Sequence, residues 1–347
     1  MNNSLTLKDI AKALNLSIST ISKSLNDSHE ISIDTKKMVL EYAQKQHYSP
    51  NRLAKGLKEG KSRSIGVVVC SLDNNVIAQM LDGIDKISTD KSYQIIIMQS
   101  KESPKQETAC IELLYAGGVD GILISPACET VDFSYLQSLQ NSGLPVVLFD
   151  RLSDQIETHK VGADNFKGAY DATMHLIKNG YKNIAHLNTN TILSIATERL
   201  NGYMQALADS GISFRPELLR SCDYSDTQKL NADLEESIKY YMTLENKPDA
   251  IFTAADQIST KCLVLLNKLG FSIPEDIALI GFTNTDLAEA FSTSLSTVHQ
   301  PAFEIGQLAA QKLISLIERK NHAPEFETIM LETNIKARSS SDVKTVN

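Results

Sequence analysis

From the amino terminus, apolar positions first recur at helical spacing. Leu7, Ile10, Ala11 and Leu14 fall at i, i+3, i+4 and i+7, with Thr6 placed to cap that helix. Asn15-Leu16 makes a tight turn. Ser17 caps a second short helix that turns Ile21 and Leu25 inward, and Ser32 caps a third with Val39, Tyr42 and Ala43 at core spacing. Pro50 breaks the pattern. Asn51 to Leu57 reads as one more short helix, ended by Glu59-Gly60-Lys61-Ser62 and too short to be stable alone.

Past residue 63 the rhythm changes. Strand-length apolar runs at 65–69, 94–98, 121–125, 146–150, 184–187, 250–253 and 277–281 alternate with helical stretches at 77–89, 106–116, 168–179, 196–209, 230–244 and 258–269. Strand–helix repeats of this length predict right-handed βαβ units and parallel sheets, arranged as two half-domains. In open sheets of this kind, ligands bind outside the carboxyl ends of the strands. Leu295-Ser296-Thr297-Val298 is extended, residues 302–318 form an amphipathic helix, and a late strand covers 327–332.

Composition sharpens this picture. A chain of 347 residues, 42% apolar and 22% charged, is a folded protein of two or three domains. No apolar run is long enough to cross a membrane. The opening Met1-Asn2-Asn3-Ser4 leads to Lys8-Asp9 with no apolar leader, so a cytoplasmic location is expected. Five single cysteines form no metal-ligand spacing, and reduced, mostly buried thiols are expected. The net charge of −8 hides an asymmetry: residues 1–63 hold 11 Lys+Arg against 6 Asp+Glu, whereas the remainder is strongly acidic. A basic head on an acidic body suggests a DNA-contacting segment joined to something else.

Two short helices about a tight turn, with a polar outer face on the second, suit a helix-turn-helix. That face carries Ile18, Ser19, Ser22 and Lys23. Hydroxyls donate to phosphates, and lysine reaches guanine edges or phosphates. On pattern alone, a three-helix packing module without a DNA role remains open.

The wording of several segments resembles the lactose-repressor (LacI/GalR) family of bacterial transcription regulators. These include Leu5 to Ala11, Leu16 to Asn26, and Tyr48-Ser49-Pro50-Asn51-Arg52-Leu53-Ala54-Lys55-Gly56-Leu57. In the body they include Ile65-Gly66-Val67, Val119-Asp120-Gly121-Ile122, Phe149-Asp150-Arg151, Arg199-Leu200-Asn201-Gly202-Tyr203, Pro274-Glu275-Asp276-Ile277, Gly281-Phe282 and Gln300-Pro301. The resemblance runs in order from about Leu5 to Arg338.

It implies an α/β protein: an N-terminal all-α helix-turn-helix head joined by a hinge helix to a two-subdomain, periplasmic-binding-protein-like body with parallel sheets. The expected boundaries are 1–49 for the head, 50–63 for the hinge and linker, and 64–347 for the body. The body divides into a first subdomain of about 64–163 plus 300–324 and a second of about 164–297 plus 325–340. By resemblance, Ile18, Ser19 and Lys23 read bases, with Lys23 in place of the more usual arginine. Thr6, Ser17, Thr20, Ser22, Asn26, Thr35, Tyr48 and Asn51 fall at phosphate-contact positions. Ala54, Lys55 and Leu57 belong to a hinge that wedges into the minor groove. Paired hinges imply a homodimer on a pseudo-palindromic double-stranded DNA operator.

The resemblance also implies a small-molecule effector, sugar-like, in the cleft between subdomains. Sugar hydroxyls call for planar polar groups, and the C–H face of a sugar calls for an aromatic ring. Candidates are Asn74, Asp150, Arg199, Asp223, Tyr224, Asp256 and Thr283, while Asp164 and Asn165 are assigned to capping a helix. This chain departs from the family at Asn74-Asn75-Val76-Ile77, Ala255-Asp256 and Thr283-Asn284, which makes the site less acidic and less aromatic. The tail 340–347 lacks leucine heptads, so no tetramer-forming tail is expected.

No nucleophile elbow, Walker loop or zinc-protease helix occurs, and the seven histidines are scattered. An enzyme is not expected, nor is a cofactor or a metal. The reading is an effector-responsive regulator, first of all a repressor. The alternative is a cytoplasmic sugar-binding protein or sensor without a DNA function.

Overall fold

The computed structural model describes residues 5–25, 27–46, 48, 61–189, 194–223, 226–319 and 325–344. The chain divides into two compact units, Met1–Ser62 and Arg63–Asn347.

The head holds three described helices: α1 (Leu7–Leu14), α2 (Ile18–Leu25) and α3 (Ile33–Lys45). Thr6 and Asp9 form a reciprocal capping box on α1, and Asn15 ends that helix in the left-handed conformation at φ 53°. Ser17 accepts from the Thr20 N–H at 3.0 Å, and Ser32 caps α3. Ile10, Ala11, Ile21 and Val39 form the buried centre, with Leu14, Leu25 and Tyr42 packed around it. Ala43 is also buried.

The body contains two six-stranded sheets. The first runs β11-β5-β4-β3-β1-β2 and is parallel throughout. Its strands are β1 (Ser64–Val69), β2 (Gln94–Gln99), β3 (Gly121–Ile124), β4 (Val146–Phe149), β5 (Lys160–Ala163) and β11 (Thr328–Leu331). The helices of this half are α4 (Asn75–Asp90), α5 (Pro104–Ala116), α6 (Ser134–Asn141) and α11 (Ala302–Glu318).

The second sheet runs β12-β10-β9-β8-β6-β7, with only β12 antiparallel to its neighbour. Its strands are β6 (Ile184–Thr189), β7 (Leu219–Cys222), β8 (Ala250–Thr253), β9 (Ala278–Phe282), β10 (Ser296–His299) and β12 (Asn334–Lys336). Its helices are α7 (Asn165–Lys178), α8 (Ser194–Asp209), α9 (Thr227–Thr243) and α10 (Asp256–Lys268).

Central strands such as Val146–Phe149 and Ala250–Thr253 are buried along their whole length, as helices on both sheet faces require. Helices α4 and α11 approach closely because each has a glycine at the crossing. A Cβ on Gly83 would lie 2.0 Å from the Phe303 carbonyl oxygen, and one on Gly306 would lie 2.0 Å from that of Met80.

One expected boundary differs. The segment 325–340 does not belong wholly to the second subdomain, because Thr328–Leu331 pairs with Lys160–Ala163 in the first sheet and only Asn334–Lys336 joins the second. The chain therefore crosses between sheets three times, near Asp164, Gln300 and Glu332. The third crossing escapes a sequence reading because each late strand is only three or four residues long.

Candidate functional site: an inter-subdomain cavity and a helix-turn-helix face

A small cavity of about 80 Å³, partly open to solvent, lies where the carboxyl ends of both sheets meet. Residues just after β1 (Asn74), β4 (Asp150, Arg151), β8 (Ala254 to Asp256) and β10 (Gln300) line it. Arg199 reaches it from α8.

Arg199 is 5% exposed. Its Nε and Nη2 donate to Asn165 Oδ1 at 2.9 and 2.7 Å, Nη2 also to Gln300 Oε1 at 3.3 Å, and Nη1 to the Ala254 carbonyl. The guanidinium stacks on Phe282. This planar cradle fixes the direction of the guanidinium, which planar hydrogen bonding to a ligand requires.

Asp150 sits at φ 61°, a left-handed conformation that aspartate tolerates better than most residues. Its Oδ2 accepts from Ser125 Oγ at 3.0 Å. Burial pushes its carboxyl above the ordinary range, against the opposing pull of Arg151, the Ser125 bond and Arg199. Arg151 itself is committed to Glu102 through two bonds of 2.7 and 2.8 Å. Glu102 Oε2 also accepts from the Cys128 N–H at 2.9 Å, so the ion pair braces the loop that brings Cys128 to the cavity.

Across the cavity, Asp256 begins α10, where the helix N-terminus favours an anion. It accepts from Thr283 Oγ1 and, at 3.5 Å, from Asn75 Nδ2. Further bonds bridge the two subdomains. Asn284 Nδ2 donates to Gln79 Oε1 at 2.7 Å, Gln79 Nε2 donates to the Asn284 carbonyl at 3.4 Å, and Gln257 Nε2 donates to the Asp73 carbonyl at 3.1 Å.

Of the expected ligand residues, the structure thus brings together Asn74, Asp150, Arg199 and Asp256. Asn74 also spends its Oδ1 on capping α4, accepting from Val76 and Ile77. Thr283 is fully buried behind Asp256 and is not among the lining residues. Asp223 is not among them either, and its carboxylate takes Lys229 Nζ at 3.3 Å. Tyr224 lies outside the described residues. Asp164 caps α7 by accepting from the Lys167 N–H at 2.8 Å, but Asn165 is not the cap: its carboxamide oxygen holds Arg199. Sequence reasoning missed Asn165, Gln300, Cys128 and Arg151.

In the head, Ile18 is 44% exposed on α2, whereas Ile21 one turn on is fully buried. Ser19, Ser22 and Lys23 share that helix, and Lys23 Nζ donates to Glu30 Oε2. Thr6, Ser17 and Thr35 all take part in helix caps, at the helix N-termini where backbone N–H groups suit a phosphate. Thr20 Oγ1 lies 2.8 Å from Ser17 Oγ. Tyr48 packs against the head core and its phenol is pushed up by burial. Asn26, Asn51, Ala54, Lys55 and Leu57 lie outside the described residues.

Four of the five cysteines are buried and Cys128 is half-buried, and no disulfide joins any two of them. Among the described residues no group of acidic, histidine or cysteine side chains could hold a metal, and no helix is long and apolar enough to cross a membrane.

A head with a capped helix-turn-helix and a body with a cavity between two largely parallel sheets define an effector-binding transcriptional regulator. Residues 6–51 match the family model for bacterial regulatory proteins of the lacI family, and residues 62–338 match that for periplasmic binding proteins and the sugar binding domain of the LacI family. The chain belongs to the LacI family. It is 28% identical over 343 residues to the HTH-type transcriptional repressor PurR of Photobacterium profundum, covering 99% of each chain. It is also 28% identical to the catabolite control protein A of Priestia megaterium, over 97% of this chain and 99% of that one. The lac repressor dimer bound to operator and the anti-inducer ONPF shares the fold, with a TM-score of 0.79 at 21% identity over 98% of this chain and 100% of that one.

Proposed function

We propose that this chain is a sequence-specific transcriptional repressor that binds a pseudo-palindromic operator as a homodimer and answers to a sugar-like effector in the cavity. One observation carries the effector half: a rigidly held guanidinium, Arg199, faces a left-handed, half-buried carboxylate, Asp150, in a partly open cavity at the strand ends. Such paired planar groups suit vicinal hydroxyls. Ile18, Ser19 and Lys23 would read base edges, Ile18 against a thymine methyl. Thr6, Ser17, Thr20, Ser22, Asn26, Thr35, Tyr48 and Asn51 would hold phosphates, and Ala54, Lys55 and Leu57 the minor groove. The protein works in the cytoplasm and has no catalytic role.

Control follows from a two-state cleft. Effector binding shifts the balance between arrangements of the subdomains, and DNA affinity shifts by the reciprocal amount. The body starts at Arg63, whose N–H donates to Asp120 at 2.8 Å and whose guanidinium pairs with Glu318 at 3.3 Å. Chain entry is thereby tied to the first subdomain.

The test is a pair of variants. Lys23→Ala should lower operator affinity and leave effector binding unchanged. Arg199→Ala should abolish the effector response and leave operator affinity nearly intact. If Arg199→Ala keeps its full response, the cavity is not the effector site.

A further inference from the structure

The cavity is not electrically neutral. Four charged side chains line it, Asp150, Arg151, Asp256 and Arg199, and a fifth, Glu102, lies behind Arg151. The two-point bond between Arg151 and Glu102 cancels that pair locally. Arg199 then faces two carboxylates, leaving one negative charge in excess. Arg199 donates to the neutral carbonyl oxygens of Asn165, Ala254 and Gln300, and its field acts on the Asp150 carboxylate.

Asp256 is the carboxylate on the far side. Only 8% of it is exposed. The groups that hold it are neutral: the Thr283 hydroxyl, the Asn75 carboxamide, and backbone N–H groups of Asn75 and Asn284. No ion pair of Asp256 occurs among the described residues. Burial raises its carboxyl from the ordinary range despite these donors and the helix N-terminus. A buried anion held only by dipoles is stabilised strongly by a cation brought into contact with it.

We propose that the effector is a cation: a polyol or sugar bearing one protonated amine, seated with the ammonium against Asp256 and its hydroxyls toward Asp150 and Arg199. This rests on the reading of the cavity as the effector site. A neutral sugar would leave the excess charge uncompensated, and an anionic or phosphorylated one would add to it. The ammonium converts the Asp256 carboxylate into a buried ion pair and keeps the dipolar donors it already has.

The experiment is calorimetric and thermal-shift titration of the full chain with matched sugars at one ionic strength. The probes are glucose against glucosamine, galactose against galactosamine, and glucose 6-phosphate. The account predicts that in at least one pair the amine binds tenfold or more tightly than its neutral partner, and that Asp256→Asn removes this preference. If Asp256→Asn does not fold, Asp150→Asn removes the same unit charge. Asparagine accepts the left-handed backbone there, so the preference should shrink in that variant too.

A neutral sugar binding as well as its amine, or glucose 6-phosphate binding best, overturns the cationic effector and leaves the sugar-sensing reading intact. A preference for amines that survives both variants overturns the role of these carboxylates. No binding by any probe overturns the proposal together with the sugar reading on which it rests.

Discussion

The Arg199 guanidinium lies 3.7 Å from the centroid of the Phe282 ring. Phe282 is fully buried at the end of β9, and its neighbours Phe252, His186 and Tyr203 continue the aromatic stack into the core of the second subdomain. The cavity-facing charge is thus mounted on the hydrophobic core. Phe282→Leu should cost about 1–3 kcal/mol from lost packing and cation–π attraction. The melting temperature of the chain should fall by several degrees, and effector affinity should fall with it. A variant that melts lower but binds effector unchanged would separate Arg199 from its aromatic support.

Asn284 ties the subdomains together beside the crossover. It donates to Gln79 and to the Gln300 carbonyl and accepts from the Gln300 N–H at 2.8 Å. Asn284→Ala leaves these buried partners unpaired, at a cost of about 1–3 kcal/mol. The ligand-free variant should scatter X-rays with a larger radius of gyration than the parent, as the cleft spends more time open. An unchanged radius would assign the closed cleft to other contacts.

Asn284 and Gln300 also mark where sequence reading stops. The head is legible because its apolar residues repeat at helical spacing and each described helix begins at a capping hydroxyl. The central strands are legible because parallel strands covered on both faces are continuously apolar. Lys160–Ala163 and Leu219–Cys222 escape because they are short and carry glycine or polar residues. In the site, Asp150 and Arg199 are recognisable from their local wording. Asn165 and Gln300 are not, since their role depends on Arg199, which lies 34 and 101 residues away. Asp223 lies off the cavity lining, and its carboxylate accepts from Lys229, six residues along the chain.

His186 gives the fold an acid-sensitive point. Stacked between Tyr203 and Phe252, with Nδ1 bonded to the Phe252 carbonyl and Nε2 buried without a partner among the described residues, it is driven by burial from 6.5 down to about 3. Above pH 6.5 the ring is neutral in both the folded and unfolded chain, and stability does not depend on it. Between 6.5 and about 3 only the unfolded chain takes the proton, so stability falls as pH falls, by at most about 1.4 kcal/mol per pH unit. His186→Phe should flatten that part of the denaturation profile. An equally steep profile would place the acid sensitivity in other groups.

Lys23, the candidate base reader, is held by Glu30 in the free head. DNA must displace this carboxylate before Lys23 can reach a base or phosphate. Glu30→Gln should therefore tighten binding to random duplex, measured by fluorescence anisotropy, with a log–log salt slope steeper by about one. Equal affinity and slope would mean that Lys23 does not reach the DNA.

The most direct test of the whole account is selection of bound duplexes from a random DNA pool by the purified chain at physiological salt. It should be run alone and with the neutral and amino sugars. The account predicts one enriched pseudo-palindrome, with half-sites spaced for a two-fold dimer and a pyrimidine–purine step at the centre. Enrichment should change when the binding sugar is present. No enriched sequence under any of these conditions would contradict the account and leave the body a small-molecule binder without an operator.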